Sequence, residues 1–490
     1  MNLRDRDLVS IQEVRDLIVA AKKAQLIYKK YNQKEIDKVC QAVADAGVTN
    51  SKKLAIMANE ETGFGNVDDK VIKNIFASKM VNDRYKGTKT IGVINNDYKN
   101  KVIDIAEPVG VIAGLIPSTN PTSSVFYKAI ISLKAGNSII FSPHPNAKNS
   151  ILEAVSIIRK ALEKTGAPVN LVSSMETLTI GATKELMSNK DTKLILATGG
   201  TKMVRAAYSS GTPALGVGPG NGPAFIDKSA NITKTINQIV DSKTFDNGTI
   251  CASEQSVLVD ETIVPRVKKA FNDANCYFMS KEECLKVSKY IMRSNGTMNP
   301  LIVGKTAHKI AELAQIEIPI NTKILIAEDD LDNIDVNNPF SREKLAPILT
   351  FYVVKNETQA IDTANRLLRV EGAGHTAMIH SENKNVIEKY GESVLASRIL
   401  VNSPGSLGGI GATVNLNPAL TLGCGAIGGS STSDNVSPLN LVDIRREAFG
   451  VRDLDDIKAD IKGLDAATNV DVSKEFIESI VKQVLDEVRN

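Results

Sequence analysis

Apolar and polar positions follow three rhythms along this chain. Over LVSIQEVRDLIVAAKKAQLIY (residues 8–28) apolar side chains recur every three or four positions, and residues 9–62 as a whole read as helices. TKTIGVINNDYKNKVIDIAE (88–107) is different: two β-prone runs flank the turn signal Asn95-Asn96-Asp97, which predicts a hairpin. From residue 109 onward short apolar runs alternate with amphipathic ones. VGVIAGLI, NSIIFSP, LVSSM and KLILATGG read as strands, and VFYKAIISLKAG, ILEAVSIIRKALEKTG, TKELMSN and MVRAAYSSG as the helices between them. That alternation predicts an α/β fold with a doubly wound parallel sheet covered on both faces. Three polar loops each follow a strand, PSTNPT (117–122), SPHPNAK (142–148) and TGGTK (198–202), so they gather on one sheet edge, where such folds bind ligands. A second α/β segment runs from about 224 to 425.

Composition narrows the class. With 490 residues the chain is long enough for two or three domains. A net charge of +3, with lysine and arginine scattered among acids, argues against a nucleic-acid partner. The N-terminus MNLRDRDLVSIQEVRD is charged where a secretion signal needs an apolar core, and no long uninterrupted apolar run predicts a membrane span. The cysteines are Cys40, Cys251, Cys276, Cys284 and Cys424, few and widely spaced, which fits free thiols in a reducing cytosol. No metal site is expected, because the histidines (His144, His308, His375, His380) do not cluster with them.

One thiol stands apart. Cys40, Cys276 and Cys284 lie in helix-like contexts and read as small buried hydrophobes, whereas Cys424 sits in glycine-rich TLGCGAIGG and is ambiguous. Cys251, in DNGTICASEQ, follows the turn former Asp246-Asn247-Gly248. A bend leaves a side chain accessible and backbone N–H groups exposed, which suits a nucleophile. The other unusual stretch is GVGPGNGPAFID (216–227), whose glycines allow close backbone approach but do not match a dinucleotide fingerprint.

Taken together, IPSTNPT, IIFSPHPNAK, ATGGTKMV, GVGPGNGP, FDNGTICASEQ, REKLAPIL and LTLGCGAIGGSS resemble the aldehyde dehydrogenase superfamily, and within it the coenzyme A-acylating branch. The resemblance covers roughly residues 5–450. It implies a cofactor domain (1–87 and 108–223), a catalytic domain (224–428) and an oligomerisation arm (88–107 and 429–450) pairing between subunits of a homodimer or homotetramer. It implies that Cys251 attacks the aldehyde and that Asn120, with the Cys251 N–H, forms the oxyanion hole. NAD is the implied cofactor, held by Ser118, Thr119, Ser142, His144, Pro145, Thr198, Gly199, Gly200, Met203, Gly218, Glu343 and Leu345; coenzyme A is the implied acyl acceptor. Glu343 taken alone reads as a solvated helix charge, and Thr198–Gly200 as a strand end before a helix N-terminus, a place suited to pyrophosphate.

One departure decides the expected chemistry. Where hydrolytic relatives carry a glutamate base, this chain has Val217. Water, with a pKa of about 15.7, cannot attack a thioester quickly without a base, whereas a thiol at about 8.5 is partly ionised at neutral pH. The expected acceptor is therefore a thiol. Glu254, three residues past Cys251, is the alternative base and leaves a hydrolytic enzyme open; a phosphate-dependent semialdehyde dehydrogenase, or a scaffold with a vestigial site, remain as further readings.

Past residue 450 the resemblance stops. VRDLDDIKADIK leads through GLDAATNVD, read as a linker, into SKEFIESIVKQVLDEVRN, where Phe476, Ile477, Ile480, Val481, Val484, Leu485 and Val488 form one apolar stripe on a helix capped by Ser473. A tethered amphipathic helix (451–490) resembles the encapsulation peptides of bacterial microcompartments. It implies shell-protein partners for 471–490 and a location in the cytoplasm inside such a compartment. A terminal helix docking on its own domain, or a dimer-forming helix, is the other reading.

Overall fold

The computed structural model describes residues 5–468 and 474–488. The chain divides into two units, Met1–Gly92 with Ala106–Asp443 and Val93–Ile105 with Ile444–Asn490. Among the described residues fifteen strands form three sheets. The first two, β1 (Gly92–Asp97) and β2 (Val102–Pro108), make the hairpin. Its turn is not at Asn95–Asp97, which continue β1. It falls at Tyr98–Lys101, because the Asp97 carboxylate accepts the Asn100 backbone and side-chain N–H groups at 2.9 and 2.7 Å and Lys101 takes φ 53°.

Strands β3 (Val111–Leu115), β4 (Ser138–Ser142), β5 (Val172–Ser174), β6 (Thr192–Thr198) and β7 (Ala214–Val217) form a parallel sheet in the order β5-β4-β3-β6-β7. Alternate residues face opposite sides. Val111, Ala113 and Leu115 pack with Val14, Ile18 and Leu186, while Ile112 joins Val43, Phe126, Ile130 and Ile158 on the other face. Both faces are thus buried by helices, as the continuous apolar strands require. The order reverses between β3 and β6, the point where such sheets open a crevice. Lys128, buried in helix Pro121–Lys134, reaches this junction and donates to the Leu115 and Leu196 carbonyls at 2.7 and 2.9 Å. Burial pushes its pKa down to about 7.

Strands β8 (Gly222–Ile226), β9 (Glu254–Asp260), β10 (Cys276–Phe278), β11 (Ile324–Glu328), β12 (Ile348–Val354), β13 (Gly374–His380) and β14 (Ala396–Val401) form the second sheet in the order β10-β11-β12-β9-β8-β13-β14, with every pairing parallel. Cys276, expected in a helix, begins the short edge strand β10 paired with β11. Cys40 and Cys284 lie in helices Gln33–Thr49 and Lys281–Ile291.

The last strand, β15 (Val442–Ala448), completes a three-stranded sheet in the order β1-β2-β15, with Arg446 paired to Asp104 at 3.2 Å. Residues 429–443, expected in the arm, belong to the larger unit, where Tyr127 Oη donates to the Val436 carbonyl and Asn137 Nδ2 to that of Leu441. Helices Leu454–Thr468 and Lys474–Val488 follow. The expected linker is therefore helical through Thr468; its remainder, and Ser473, lie outside the described residues. Among the described residues no helix is long and apolar enough to cross a membrane.

Candidate active site

Cys251 is carried on a turn whose shape is enforced from several sides. Helix Ile232–Thr244 ends at Phe245, and Asp246, Asn247 and Gly248 then take φ 47°, 53° and 77° in succession. Asp and Asn tolerate this left-handed conformation better than most residues, at about 1–3 kcal/mol each. Tertiary contacts hold it. Asn247 Nδ2 donates to the Gly304 carbonyl at 3.0 Å, and a Cβ on Gly248 would lie 3.0 Å from the Ala346 carbonyl oxygen. The Asp246 carboxylate accepts from Asn66 N at 2.8 Å, Thr249 Oγ1 at 2.7 Å, Lys70 Nζ at 3.0 Å and Lys73 Nζ. Burial favours the neutral acid, but Lys73 and Lys70 outweigh it and hold Asp246 below the ordinary carboxylate range.

Cys251 itself is half-buried, at the amino end of β9. Because all strands of that sheet run parallel, the starts of β8, β9 and β13 lie together there, and Gly222 pairs with Glu254. The second sheet thus presents amino ends to the site, whereas the first presents carboxyl ends. Burial, then the charges of Glu343 and Cys424, push the Cys251 thiol up to about 12; Arg398 and the residue's own backbone N–H pull the other way. At neutral pH the Cys251 side chain is therefore a protonated thiol.

The glycines of GVGPGNGP find their use at one position above all. A Cβ on Gly220 would lie 2.1 Å from the Cys251 carbonyl oxygen and 3.2 Å from His375 Nδ1, so only glycine admits this approach. Its N–H donates to Glu343 Oε1 at 2.8 Å. Glu343, expected in a helix, is in a loop before β12 and buried; burial and then Glu371 push it up to about 8. The Leu345 carbonyl instead accepts the Gly304 N–H at 2.8 Å.

Asn120 caps the start of helix Pro121–Lys134 with φ −135° and ψ 55°, and its side chain makes no capping bond. Its Nδ2 faces the Thr249 carbonyl at 3.4 Å and Thr119 Oγ1 at 3.2 Å, while Oδ1 accepts from Lys73. The amide therefore points its donor end toward the turn that carries Cys251.

The proposed cofactor residues divide into two groups. Ser118 and Thr119 follow β3, Ser142 ends β4, and Thr198, Gly199 and Gly200 follow from β6; pairing of Leu115 with both Ser142 and Ala197 sets these ends side by side. Helix Thr201–Tyr208 starts at Gly200 without a side-chain cap, and a Cβ on Gly200 would meet nothing within 4 Å. Unsatisfied N–H groups beside open space fit a pyrophosphate. Ser142 Oγ is shared with Thr183 Oγ1 at 3.0 Å; His144, exposed, accepts the Asn146 N–H at 3.1 Å just before the 3₁₀ turn Pro145–Ala147; Met203 is exposed. The second group is Gly218, Glu343 and Leu345, around the PGNG and REKL loops.

Several residues here had no reading in the sequence. His375 is buried, with Nδ1 against Thr376 Oγ1 at 2.9 Å and Nε2 unpartnered; burial, with Arg398, lowers it to about 3 and keeps it neutral. Arg398 donates to the His375 carbonyl at 2.9 Å and to Ser433 and Asn435. Lys70 and Lys73 carried one signal, three-residue spacing on a helix, which looks like any solvated charged face. Val217 ends β7 buried among apolar neighbours. Glu254, the alternative base, is buried with Oε1 accepting the Gly405 N–H at 2.7 Å, and burial raises it to about 7.

Two fully parallel sheets, one doubly wound and one entered through a cysteine-bearing turn, define a two-sheet α/β architecture. Residues 7–415 match the aldehyde dehydrogenase family, and the chain belongs to it. It is similar to an acetylating aldehyde dehydrogenase of Geobacillus thermoglucosidasius, with 53% identity, 92% of this chain and 99% of that chain covered, and a TM-score of 0.90. It is 44% identical over 440 residues to the bifunctional aldehyde-alcohol dehydrogenase of Escherichia coli K12, covering 89% of this chain and 49% of that protein. The chain thus spans about half the length of the bifunctional relatives it matches. A propionaldehyde dehydrogenase from the fucose utilisation microcompartment of Clostridium phytofermentans is 29% identical, with 89% and 97% covered and a TM-score of 0.81.

Proposed function

We propose that this chain oxidises a short aliphatic aldehyde, acetaldehyde or propionaldehyde, with NAD and coenzyme A to acyl-coenzyme A and NADH, reversibly. Cys251 Sγ attacks the carbonyl carbon, and its proton passes to solvent as the S–C bond forms. Negative charge grows on the aldehyde oxygen, where Asn120 Nδ2 and the Cys251 N–H receive it; a fixed donor of this kind is worth about 2.7–4 kcal/mol of barrier. Collapse of the thiohemiacetal re-forms C=O and expels hydride, leaving a thioester on Cys251. A bound nicotinamide supplies the hydride acceptor. Glu343 would hold its ribose side, and the uncapped start of helix Thr201–Tyr208, with Thr198–Gly200, would hold the pyrophosphate. Ser142, His144 and Pro145 would hold the adenosine end. The coenzyme A thiol then adds to the thioester and Cys251 leaves as thiolate.

The observation that carries this reading is where the acids are. Val217 provides none, Glu254 is bound to the Gly405 N–H, and Glu343 to the Gly220 N–H. With an apolar side chain at Val217, where hydrolytic relatives carry a glutamate base, the acyl group waits for a thiol. Following NADH absorbance with and without coenzyme A, while assaying free acid, tests it. Sustained acid production without coenzyme A would replace this reading with hydrolysis, and dependence on phosphate with the semialdehyde reaction.

The hairpin with β15 is the arm through which copies of the chain pair as a homodimer or homotetramer. The C-terminal helices are the targeting segment for a bacterial microcompartment, supported by their exposed apolar positions and by the compartment-derived relative. Fusing residues 451–490 to a fluorescent protein and scoring co-purification with shells tests that role.

A further inference from the structure

Behind Asn120 lies a buried cluster that the reaction as written does not use. Lys70 and Lys73 project from helix Val67–Ile75, both buried, onto the single carboxylate of Asp246, whose own N–H is accepted by Asp69 Oδ2 at 2.7 Å. Lys73 Nζ has three partners: Asp246 Oδ2, Thr249 Oγ1 at 3.2 Å, and Asn120 Oδ1 at 2.5 Å. Among the described residues Lys70 reaches Asp246 and, at 3.5 Å, the Thr119 carbonyl. A second contact sets the spacing of the two helices. Thr122 Oγ1 donates to Asn74 Oδ1 at 2.8 Å, one residue past Lys73 and two past Asn120, and Asn74 Nδ2 donates to the Ser51 carbonyl at 3.0 Å. Directly after Ile75 the helix widens into a π turn, Phe76–Met80, before resuming at Val81–Tyr85.

An amide has one accepting and one donating end of nearly equal size, and nothing in its shape says which should face the substrate. An ammonium can only donate, so whichever end of Asn120 meets Lys73 must be oxygen. We propose that Lys73 is a positioning residue of the reaction: its ammonium holds Asn120 Oδ1 and thereby commits Nδ2 to the oxygen that gains charge when Cys251 attacks. This rests on the oxyanion role given to Asn120 above. Buried ion pairs are weak sources of stability, so two ammonium groups on one interior carboxylate point to a use beyond folding.

Titration gives the inference a readout. Burial, opposed by Asp246 and Asp69 and reinforced by Lys70, lowers Lys73 to about 8. The groups facing it are Asp246, Lys70, Asp69, Thr249 and Asn120. Above that pH the amine gains a lone pair and accepts as readily as it donates, so the amide is free to turn over.

The experiment is a double-mutant cycle on the full chain, using Lys73→Met, Asn120→Ala and both, with acetaldehyde, NAD and coenzyme A. Lys73→Met is expected to lower kcat about 10- to 100-fold, the scale of losing an outer-shell partner, with the Kd for NAD within about twofold. In the Asn120→Ala background the same change is expected to cost less than about threefold, since it acts through the missing amide. Lys73→Gln, whose amide accepts as well as donates, serves if the methionine variant does not fold, and the wild-type decline of kcat above about pH 8 should vanish in it. Equal losses in both backgrounds, or Lys73 variants within twofold of wild type, overturn the inference while leaving Asn120 catalytic. A wild-type kcat in Asn120→Ala removes the oxyanion assignment, and this inference with it.

Discussion

The turn Asp246–Ser253 and the helices Leu454–Thr468 and Lys474–Val488 are built on opposite terms. In the turn, Asp246 is 0% exposed and its carboxylate has four donors; Gly248 and the nearby Gly220 sit where a methyl group would strike backbone. In the terminal helices apolar side chains stay in water, with Ile461 53% and Ile477 52% exposed. The first region fixes the proposed nucleophile, Cys251, on a turn that the proposed oxyanion donor, Asn120, faces. The second leaves a stripe of apolar side chains uncovered, the feature on which the proposed targeting role rests. The turn is held by hydrogen bonds from several elements, whereas the terminal helices keep their apolar side chains in water.

If that contrast is right, substitutions should divide sharply. Cys251→Ala should remove turnover by about 10⁴-fold or more in NADH assays, with the melting temperature little changed; retained turnover would move the nucleophile elsewhere. Asn120→Ala should lower kcat about 10²- to 10³-fold with little effect on the KM for NAD. Gly220→Ala should cost both activity and stability, the latter by about 1–3 kcal/mol in denaturant unfolding, because its Cβ has no room beside the Cys251 carbonyl. A wild-type midpoint and rate would show the turn to be looser than its contacts imply.

A fourth test concerns the thiol. With its pKa raised to about 12, Cys251 in the free enzyme should be alkylated by iodoacetamide at a rate still climbing about tenfold per pH unit at pH 9.5, as more thiolate forms with rising pH; a midpoint near 8.5 would mean an exposed, unperturbed thiol. The smallest effect is expected at the other pole. Removing residues 451–490 should leave kcat and KM within about twofold, since every described side chain there is exposed. A large loss would tie the tail to catalysis and dissolve the contrast.

How much of this was readable along the chain follows from the range of the interactions. The doubly wound sheet was legible because apolar strands alternate with amphipathic helices at local, periodic spacing. Cys251 stood out because Asp-Asn-Gly is turn chemistry, and the three do adopt positive φ. The hairpin turn was misplaced by a few residues because NND is turn-forming in composition, while the bend was decided by the Asp97–Asn100 bonds. Glu343 read as a solvated helix charge, yet it is buried in a loop and joined to the Gly220 N–H, 123 residues away in sequence.

What the sequence determined alone was whatever repeats within a few residues: helix faces, buried strands, and the bend under Cys251. What only the tertiary structure decided was the company each group keeps. Lys73 against Asn120, His375 beside Gly220 and Arg398 across the segment 423–435 each join positions tens of residues apart or more. Hydrogen bonds and charges act over a few ångströms of space, so no local pattern announces them until the chain is folded.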